Sequence, residues 1–185
     1  GGGYRGSYLT EEGIARIAGL AAVLGVNDPS FATLAPPVED PNPDDDFDVP
    51  ADLIFGHGDI ILGGDGADVI TAKAGNDVID GDAWLDVQIG VFAPGDVNHT
   101  GTPIALHNSM TTLADQILSG AINPGQLAIV RTIRYDENPA DHMDRAVFQG
   151  NFEDYTITST ADGALIVSDS VEDRDGTDRF RNIEE

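Results

Sequence analysis

Four aspartates follow one another at intervals of nine residues, at Asp59, Asp68, Asp77 and Asp86. Around the middle two, the chain reads GGDGADVIT and then AKAGNDVID, so that glycine, aspartate and an aliphatic residue recur in a fixed order. Glycine allows tight backbone turns that other residues resist, and such turns can aim carbonyl oxygens inward. Calcium takes about six to eight oxygen ligands, from carbonyls and carboxylates alike. The repeat therefore predicts calcium sites made of turn carbonyls and aspartate side chains.

The unit G-G-x-G-x-D-x-U-x, where U is a large aliphatic residue, resembles the nonapeptide of the repeats-in-toxin (RTX) family. The resemblance covers about residues 55–88 and implies a short parallel β-roll of about two turns. In that fold calcium lies between stacked turns, and the aliphatic residues, here Ile61, Ile70 and Ile79, point into a narrow core. The alternative is an acidic, glycine-rich linker with a chance spacing, but linkers seldom place an aliphatic residue two positions after every aspartate.

The family's ligand pattern, carried over to this chain, implies two calcium sites that differ in their aspartates. One site would use the side chains of Asp68 and Asp86 with the backbone carbonyls of Gly64, Gly66, Gly81 and Ala83. The other would use the side chains of Asp59 and Asp77 with the backbone carbonyls of Phe55, His57, Ala72 and Ala74. The pattern weakens at both ends, because His57 and Trp84 stand where the repeat has its third glycine.

Charge is the dominant feature of the composition. The chain has 185 residues, with 33 acidic and 9 basic side chains, a formal net charge of −24 and no cysteine. Such a chain lacks the lysines and arginines that a phosphate backbone needs, so we expect no nucleic-acid partner. No stretch is apolar enough to span a bilayer, so we expect no membrane insertion. Clustered carboxylates repel one another, and we therefore expect folding to be coupled to calcium binding.

The RTX resemblance also implies a location and partners. Proteins of that family are exported through type I secretion machinery by a C-terminal signal, so we expect a secreted protein, extracellular or at the cell surface. We interpret the chain as a calcium-binding piece of a larger polypeptide, and we expect this piece itself not to be an enzyme. The alternatives are a fragment of a secreted enzyme, for example of the haem peroxidase type, self-processing at Asp28–Pro29 or Asp40–Pro41, and an adhesive segment.

The predicted fold class is mainly β: a short parallel β-roll followed by a β-rich module, with one or two helices. We divide the chain into an N-terminal helical segment (1–27), an acidic, proline-rich linker (28–52), the β-roll (53–90) and an α+β module (91–185) with a β-rich C-terminal part. Hydrophobic spacing and capping residues predict helices over 10–25 and 108–120. Alternating and β-branched segments predict strands over 87–92, 127–135 and within 146–167.

Other candidate sites are weaker. The four histidines show no metal-ligand spacing. His142 stands between Asp141 and Asp144, which is compatible with a base and its orienting acid but is also expected by chance in so acidic a chain. We therefore predict no catalytic residues. The stretch 173–178 is either a polar turn before a strand or a further cation site.

Overall fold

The computed structural model describes residues 9–29, 31–34, 53–55, 58–137 and 142–185. Within these ranges the protein is mainly β, which confirms the predicted class. Three predictions lie outside the described residues: the carbonyl of His57, the Asp40–Pro41 bond and most of the linker over 28–52. No helix in the described ranges has the length and apolar character needed to cross a bilayer.

The chain forms two compact units. The first combines residues 1–84 with residues 134–185, and the second comprises residues 85–133. The predicted segments 53–90 and 91–185 thus each contribute residues to both units. The second unit interrupts the first in sequence, so residues on either side of it can lie together in space.

Short helices begin the first unit. Strand β1 (Leu9–Thr10) pairs antiparallel with β2 (Leu53–Phe55). Helix α1 (Glu11–Ala15) begins where the side chain of Thr10 accepts a hydrogen bond from the Gly13 amide, and α2 (Leu20–Leu24) and α3 (Phe31–Leu34) follow. The prediction of one helix over 10–25 is wrong, because Gly19 adopts a left-handed conformation (φ 90°) and separates α1 from α2. The helices are therefore more numerous and shorter than predicted.

A five-stranded sheet is the main layer of the first unit, in the order β10, β11, β12, β5, β3. Its strands are β3 (Ile60–Leu62), β5 (Val78–Asp80), β10 (Tyr155–Ser159), β11 (Leu165–Asp169) and β12 (Thr177–Arg181). Strand β5 runs parallel to both neighbours, with Ile79 opposite Ile61 in β3 and Phe180 in β12. The pairs β10–β11 and β11–β12 are antiparallel. The sheet is mixed, and the described strands alone do not make up a purely parallel roll.

A second, two-stranded sheet joins segments that are far apart in sequence. Strand β4 (Val69–Ile70) runs parallel to β9 (Arg145–Ala146), with Ile70 opposite Ala146. The core of the first unit is a cluster of buried apolar residues, Ile70, Ile79, Val167 and Phe180, with Ile61 and Phe148 packed against it. Two of the three aliphatic residues predicted to point inward are thus buried, and the third is partly buried.

The second unit is built on a three-stranded sheet in the order β7, β6, β8. Its strands are β6 (Ala83–Val91), β7 (Ala105–His107) and β8 (Leu127–Tyr135). A 3-10 turn (Met110–Leu113), capped by Ser109, leads into α4 (Ala114–Leu118). The helix predicted over 108–120 and the strands predicted over 87–92 and 127–135 are therefore confirmed, with the first helical turn tighter than expected.

Candidate metal centre

Three aspartates from distant parts of the chain form a column that we call the first ladder: Asp59, Asp77 and Asp178. The backbone amide of Asp59 donates to Oδ1 of Asp77 at 2.6 Å, and the amide of Asp77 donates to Oδ1 of Asp178 at 2.9 Å. The parallel strands β3 and β5 begin directly after Asp59 and Asp77, and Asp178 lies in β12. The parallel register of these strands therefore fixes the column.

A second ladder repeats this arrangement with Asp68, Asp144 and Glu184. The amide of Asp68 donates to Oδ1 of Asp144 at 2.7 Å, and the amide of Asp144 donates to Oε2 of Glu184 at 2.8 Å. Strands β4 and β9 follow directly after Asp68 and Asp144. In both ladders, a carboxylate accepts the amide of the preceding acidic residue, which leaves its second oxygen for another ligand.

Close stacking of the turns explains two of the glycines. The Gly63 amide donates to the Asp80 carbonyl at 2.9 Å, and the Gly81 amide donates to the Arg181 carbonyl at 3.1 Å. A Cβ atom on Gly63 would overlap the carbonyl oxygen of Gly81. A Cβ atom on Gly81 would overlap both the carbonyl oxygen of Asn182 and Oδ2 of Asp144. Only glycine lets carbonyl and carboxylate oxygens approach this closely.

Several carboxylate oxygens are buried with no hydrogen-bond partner among the described residues. They are the Oδ2 atoms of Asp68, Asp77, Asp80 and Asp144. Asp77, Asp80 and Asp144 are each at most 1% exposed. A buried, charged oxygen without a partner is destabilising, and such oxygens are normally hydrogen-bonded, paired with a positive charge or bound to metal. The purely oxygen donor set fits a hard cation such as calcium.

Burial also changes the acidity of the first ladder. Burial, reinforced by the charge of Asp59, raises the pKa of Asp77 from 3.8 to about 6 against the opposing effect of the Asp59 amide. Burial, reinforced by the charges of Asp77 and other aspartates, raises the pKa of Asp178 to about 8. Without a cation, these carboxylates are therefore costly to ionise at neutral pH.

Three of the four predicted aspartates lie on the ladders, and the fourth does not. Asp86 lies within β6, in the second compact unit, between Leu85 and Val87. The carboxylate that contacts Asp68 is that of Asp144 instead. The chain leaves the first unit after Trp84 and re-enters it at Arg134, so the carboxylate that accepts the Asp68 amide comes from the segment that follows the second unit. The Asp136 amide donates to the Asp82 carbonyl at 3.0 Å and holds the departing and returning chains together.

The backbone groups predicted as ligands occupy several environments. Gly64 and Gly66 adopt positive φ angles (99° and 117°) in the turn before Asp68, as the repeat requires. Ala72 and Ala74 lie on the segment between β4 and β5, Gly81 lies between β5 and β6, and Ala83 is the first residue of β6. Phe55 ends β2, where its backbone pairs with Leu9.

Sequence reasoning missed Asp144, Asp178 and Glu184 as members of the ladders. A signal exists for two of them, because the chain reads Asp144-Arg145-Ala146 and Asp178-Arg179-Phe180, with an apolar residue two positions after each aspartate. In the stretch 173–178, Asp178 joins the first ladder, whereas Asp175 accepts hydrogen bonds from Tyr155 and Gln149. That stretch therefore contains both a turn and a ladder carboxylate.

A histidine lies beside the turn of the second ladder. Nδ1 of His142 lies 2.7 Å from Oδ2 of Asp136 and 3.8 Å from Oδ1 of Asp65. These three ligand atoms all lie within 4.8 Å of one another, which is close enough for one metal ion. A simple ion pair between a protonated His142 and Asp136 accounts for the same geometry. The acid that contacts His142 is Asp136, while Asp141 lies outside the described residues.

Comparison with known proteins gives no match. No protein-family model matches the chain, and no curated protein or solved structure is significantly similar to it.

Proposed function

We propose that this chain is a calcium-binding module of the RTX type, whose turns stack around calcium ions as a short β-roll. The parallel register of β3, β5 and β12 supports this proposal, because Asp59 and Asp77 are 18 residues apart, the length of one full roll turn. The parallel pair β4–β9 would be the opposite side of the roll. The antiparallel strands β10 and β11 would extend one of its sheets.

The single observation that carries the proposal is the pair of ladders with unpartnered second oxygens. Calcium would be held in one row by Asp59, Asp77 and Asp178, and in the other by Asp68 and Asp144. Turn carbonyls would complete the coordination, namely those of Gly64, Gly66, Gly81 and Ala83 in one row and of Ala72 and Ala74 in the other. The cation would supply the positive charge that these buried carboxylates need.

The proposed role of calcium is to switch the chain from an unfolded to a folded state. With 33 acidic and 9 basic side chains, the metal-free chain repels itself. Inside a bacterium, where calcium is scarce, the turns would stay unfolded and pass through type I secretion machinery. Outside, calcium at millimolar concentration would fill sites with dissociation constants of about 10⁻⁴ to 10⁻³ M, as is typical of extracellular modules. The folded module would then order the larger polypeptide that contains it.

A calcium titration tests this proposal. Far-ultraviolet circular dichroism should gain β signal as calcium is added to the chelated chain, and magnesium at the same concentration should have little effect. Asp68→Asn and Asp77→Asn should each raise the calcium midpoint at least tenfold. Asp86→Asn is the matched control, since it changes a predicted aspartate that is not on a ladder, and it should leave the midpoint unchanged. A spectrum identical in chelator and in calcium would refute the proposed function.

A further inference from the structure

Two carboxylates lie close to the same ring nitrogen of the histidine beside the second ladder. Oδ2 of Asp136 lies 2.7 Å and Oδ1 of Asp65 lies 3.8 Å from Nδ1 of His142, and the three atoms all lie within 4.8 Å of one another. Neighbouring ligands of a tetrahedral zinc ion, with bonds of about 2.0 to 2.1 Å, are roughly 3.3 Å apart. The two distances from Nδ1 lie on either side of that value, so one ion reaches all three atoms after small shifts of the side chains.

The three ligand groups come from separate segments whose backbones are held in place. Asp65 lies in the glycine-rich turn of the second ladder, where both flanking glycines have positive φ angles. Asp136 directly follows β8, and its amide donates to the Asp82 carbonyl at 3.0 Å. His142 precedes Asp144 by two residues, and Asp144 is hydrogen-bonded through both its amide and its Oδ1. The backbone therefore brings the three side chains together before any ion binds.

A proton and a metal ion compete for Nδ1 of His142. A proton there can be donated to Asp136 at 2.7 Å, whereas the 3.8 Å to Asp65 is too long for a hydrogen bond. A metal ion would use all three groups, and the two carboxylates would balance its two positive charges while the imidazole is neutral. The Asp136 side chain is only 5% exposed, so the ion would compensate a negative charge with little access to water. Asp65 therefore distinguishes the two states, because only the metal ion needs it.

We infer that Asp65, Asp136 and His142 form a site for a divalent transition-metal ion such as zinc, separate from the calcium sites. Imidazole nitrogen is a good ligand for zinc, copper, nickel and iron, whereas calcium takes oxygen ligands. Because the Asp65 side chain is 77% exposed, water completes the coordination of the ion. The inference does not rest on the proposed function, since none of the three residues belongs to a ladder. The ion would tie residues 136 and 142 to the turn that precedes Asp68.

A zinc titration of the full chain in millimolar calcium tests the inference, because calcium then occupies its own sites. Isothermal titration calorimetry should detect one zinc ion per unchanged chain, and Asp65→Asn and His142→Gln should each weaken its binding at least tenfold. The matched controls are Asp115→Asn, on the exposed surface of α4, and His107→Gln, in β7, which should change the zinc affinity less than twofold. If the unchanged chain binds no zinc in calcium, or if Asp65→Asn binds zinc as tightly as the unchanged chain, the site is overturned.

X-ray absorption at the zinc edge keeps the test decisive if a variant folds poorly. Zinc bound to the unchanged chain in calcium should show oxygen and nitrogen ligands at about 2.0 to 2.1 Å, with the outer-shell scattering of one imidazole. His142→Gln should lose the imidazole signal, and His107→Gln should keep it. A spectrum of the unchanged chain with oxygen ligands alone would overturn the site, because the zinc would then be held by carboxylates without His142.

Discussion

Replacement of Asp77 by asparagine should have opposite effects on stability with and without calcium. Asparagine keeps the oxygen that accepts the Asp59 amide at 2.6 Å but cannot carry a negative charge. In a chelator, Asp77→Asn should therefore stabilise the folded chain, because a buried charge is removed. In calcium it should destabilise the chain, because a charged ligand is lost.

The magnitude follows from the acidity of Asp77, which is 1% exposed. Its pKa rises from 3.8 to about 6 on folding, chiefly through burial. Each pKa unit corresponds to about 1.4 kcal/mol, so ionised Asp77 costs the folded state about 3 kcal/mol at pH 7.5. Because the folded pKa is the higher one, this cost is absent below about pH 4 and grows as the pH rises to about 6. The benefit of Asp77→Asn in chelator should shrink accordingly, to about 1.6 kcal/mol at pH 5.

Circular dichroism measures both effects. Because the calcium-free turns are expected to be unfolded, an excluded osmolyte such as trimethylamine N-oxide is used to drive folding in chelator. Under these conditions the free energy of unfolding should rise by up to about 3 kcal/mol at pH 7.5, with Asp115→Asn, on the exposed surface of α4, as a control that changes it by less than about 0.5 kcal/mol. In millimolar calcium the order of stability should reverse. A variant that is less stable than the unchanged chain in chelator at pH 7.5 would refute the reasoning, because the buried charge would then not be unfavourable.

Three further predictions concern protons, packing and a buried arginine. Calcium binding should release protons near pH 6, and the calcium affinity of a site that contains Asp77 should fall about tenfold from pH 7 to pH 5. Calorimetry in buffers of different ionisation enthalpy would detect the released protons, and calcium binding without proton release would contradict the prediction. Gly81→Ala should lower the free energy of unfolding by about 2 kcal/mol or more in urea titrations, because its Cβ atom would overlap neighbouring oxygens. Gly13→Ala is the control and should be neutral or stabilising, since a Cβ atom there meets nothing closer than 3.5 Å. Equal effects of the two substitutions would contradict the stacking of turns. Arg179→Ala should lower the free energy of unfolding by about 3 to 5 kcal/mol, because Arg179 is fully buried, pairs with Asp162 and donates to the Val23 carbonyl. Arg145→Ala, which breaks the exposed pair of Arg145 with Glu185, is the control and should lower it by about 0.5 kcal/mol. An equally small effect of Arg179→Ala would contradict its role in holding α2.

The local part of the candidate site could be predicted from the sequence. Asp59, Asp68 and Asp77 occupy equivalent positions in consecutive repeats, and Ile70 and Ile79 are buried as their spacing predicts. These features depend on neighbouring residues, since a glycine turn, a carboxylate and a short apolar strand form one local unit. The strand over 127–135 was also predictable, because five of its nine residues are β-branched or aromatic.

The distant part could not be predicted, because it depends on which segments meet after a long detour. Asp144 lies 76 residues from Asp68, and Asp178 lies 101 residues from Asp77. Asp86 satisfies the nine-residue interval but belongs to β6, since the chain enters the second unit after Trp84. An interval counted along the chain does not detect such an interruption. The parallel pairing of β4 with β9 reveals it.

The helix predicted over 10–25 was wrong because the backbone changes direction within it. The apolar spacing over 10–25 is helical, and Ile14, Leu20 and Leu24 are buried as a helix face would be. The first helix nevertheless ends at Ala15, and Gly19 adopts a left-handed conformation at the start of the second. The apolar spacing correctly predicts which side chains are buried, whereas the change of backbone direction depends on the left-handed conformation that glycine allows.

The central claim is that two columns of buried carboxylates hold calcium. Diffraction at long wavelength from crystals grown in millimolar calcium locates the ions themselves through their anomalous scattering. We predict anomalous peaks between Asp59 and Asp77 and between Asp68 and Asp144, each within about 2.3 to 2.6 Å of carboxylate oxygens. An ordered structure in which these carboxylates meet only water or protein donors, with no anomalous peak at either position, would contradict the account.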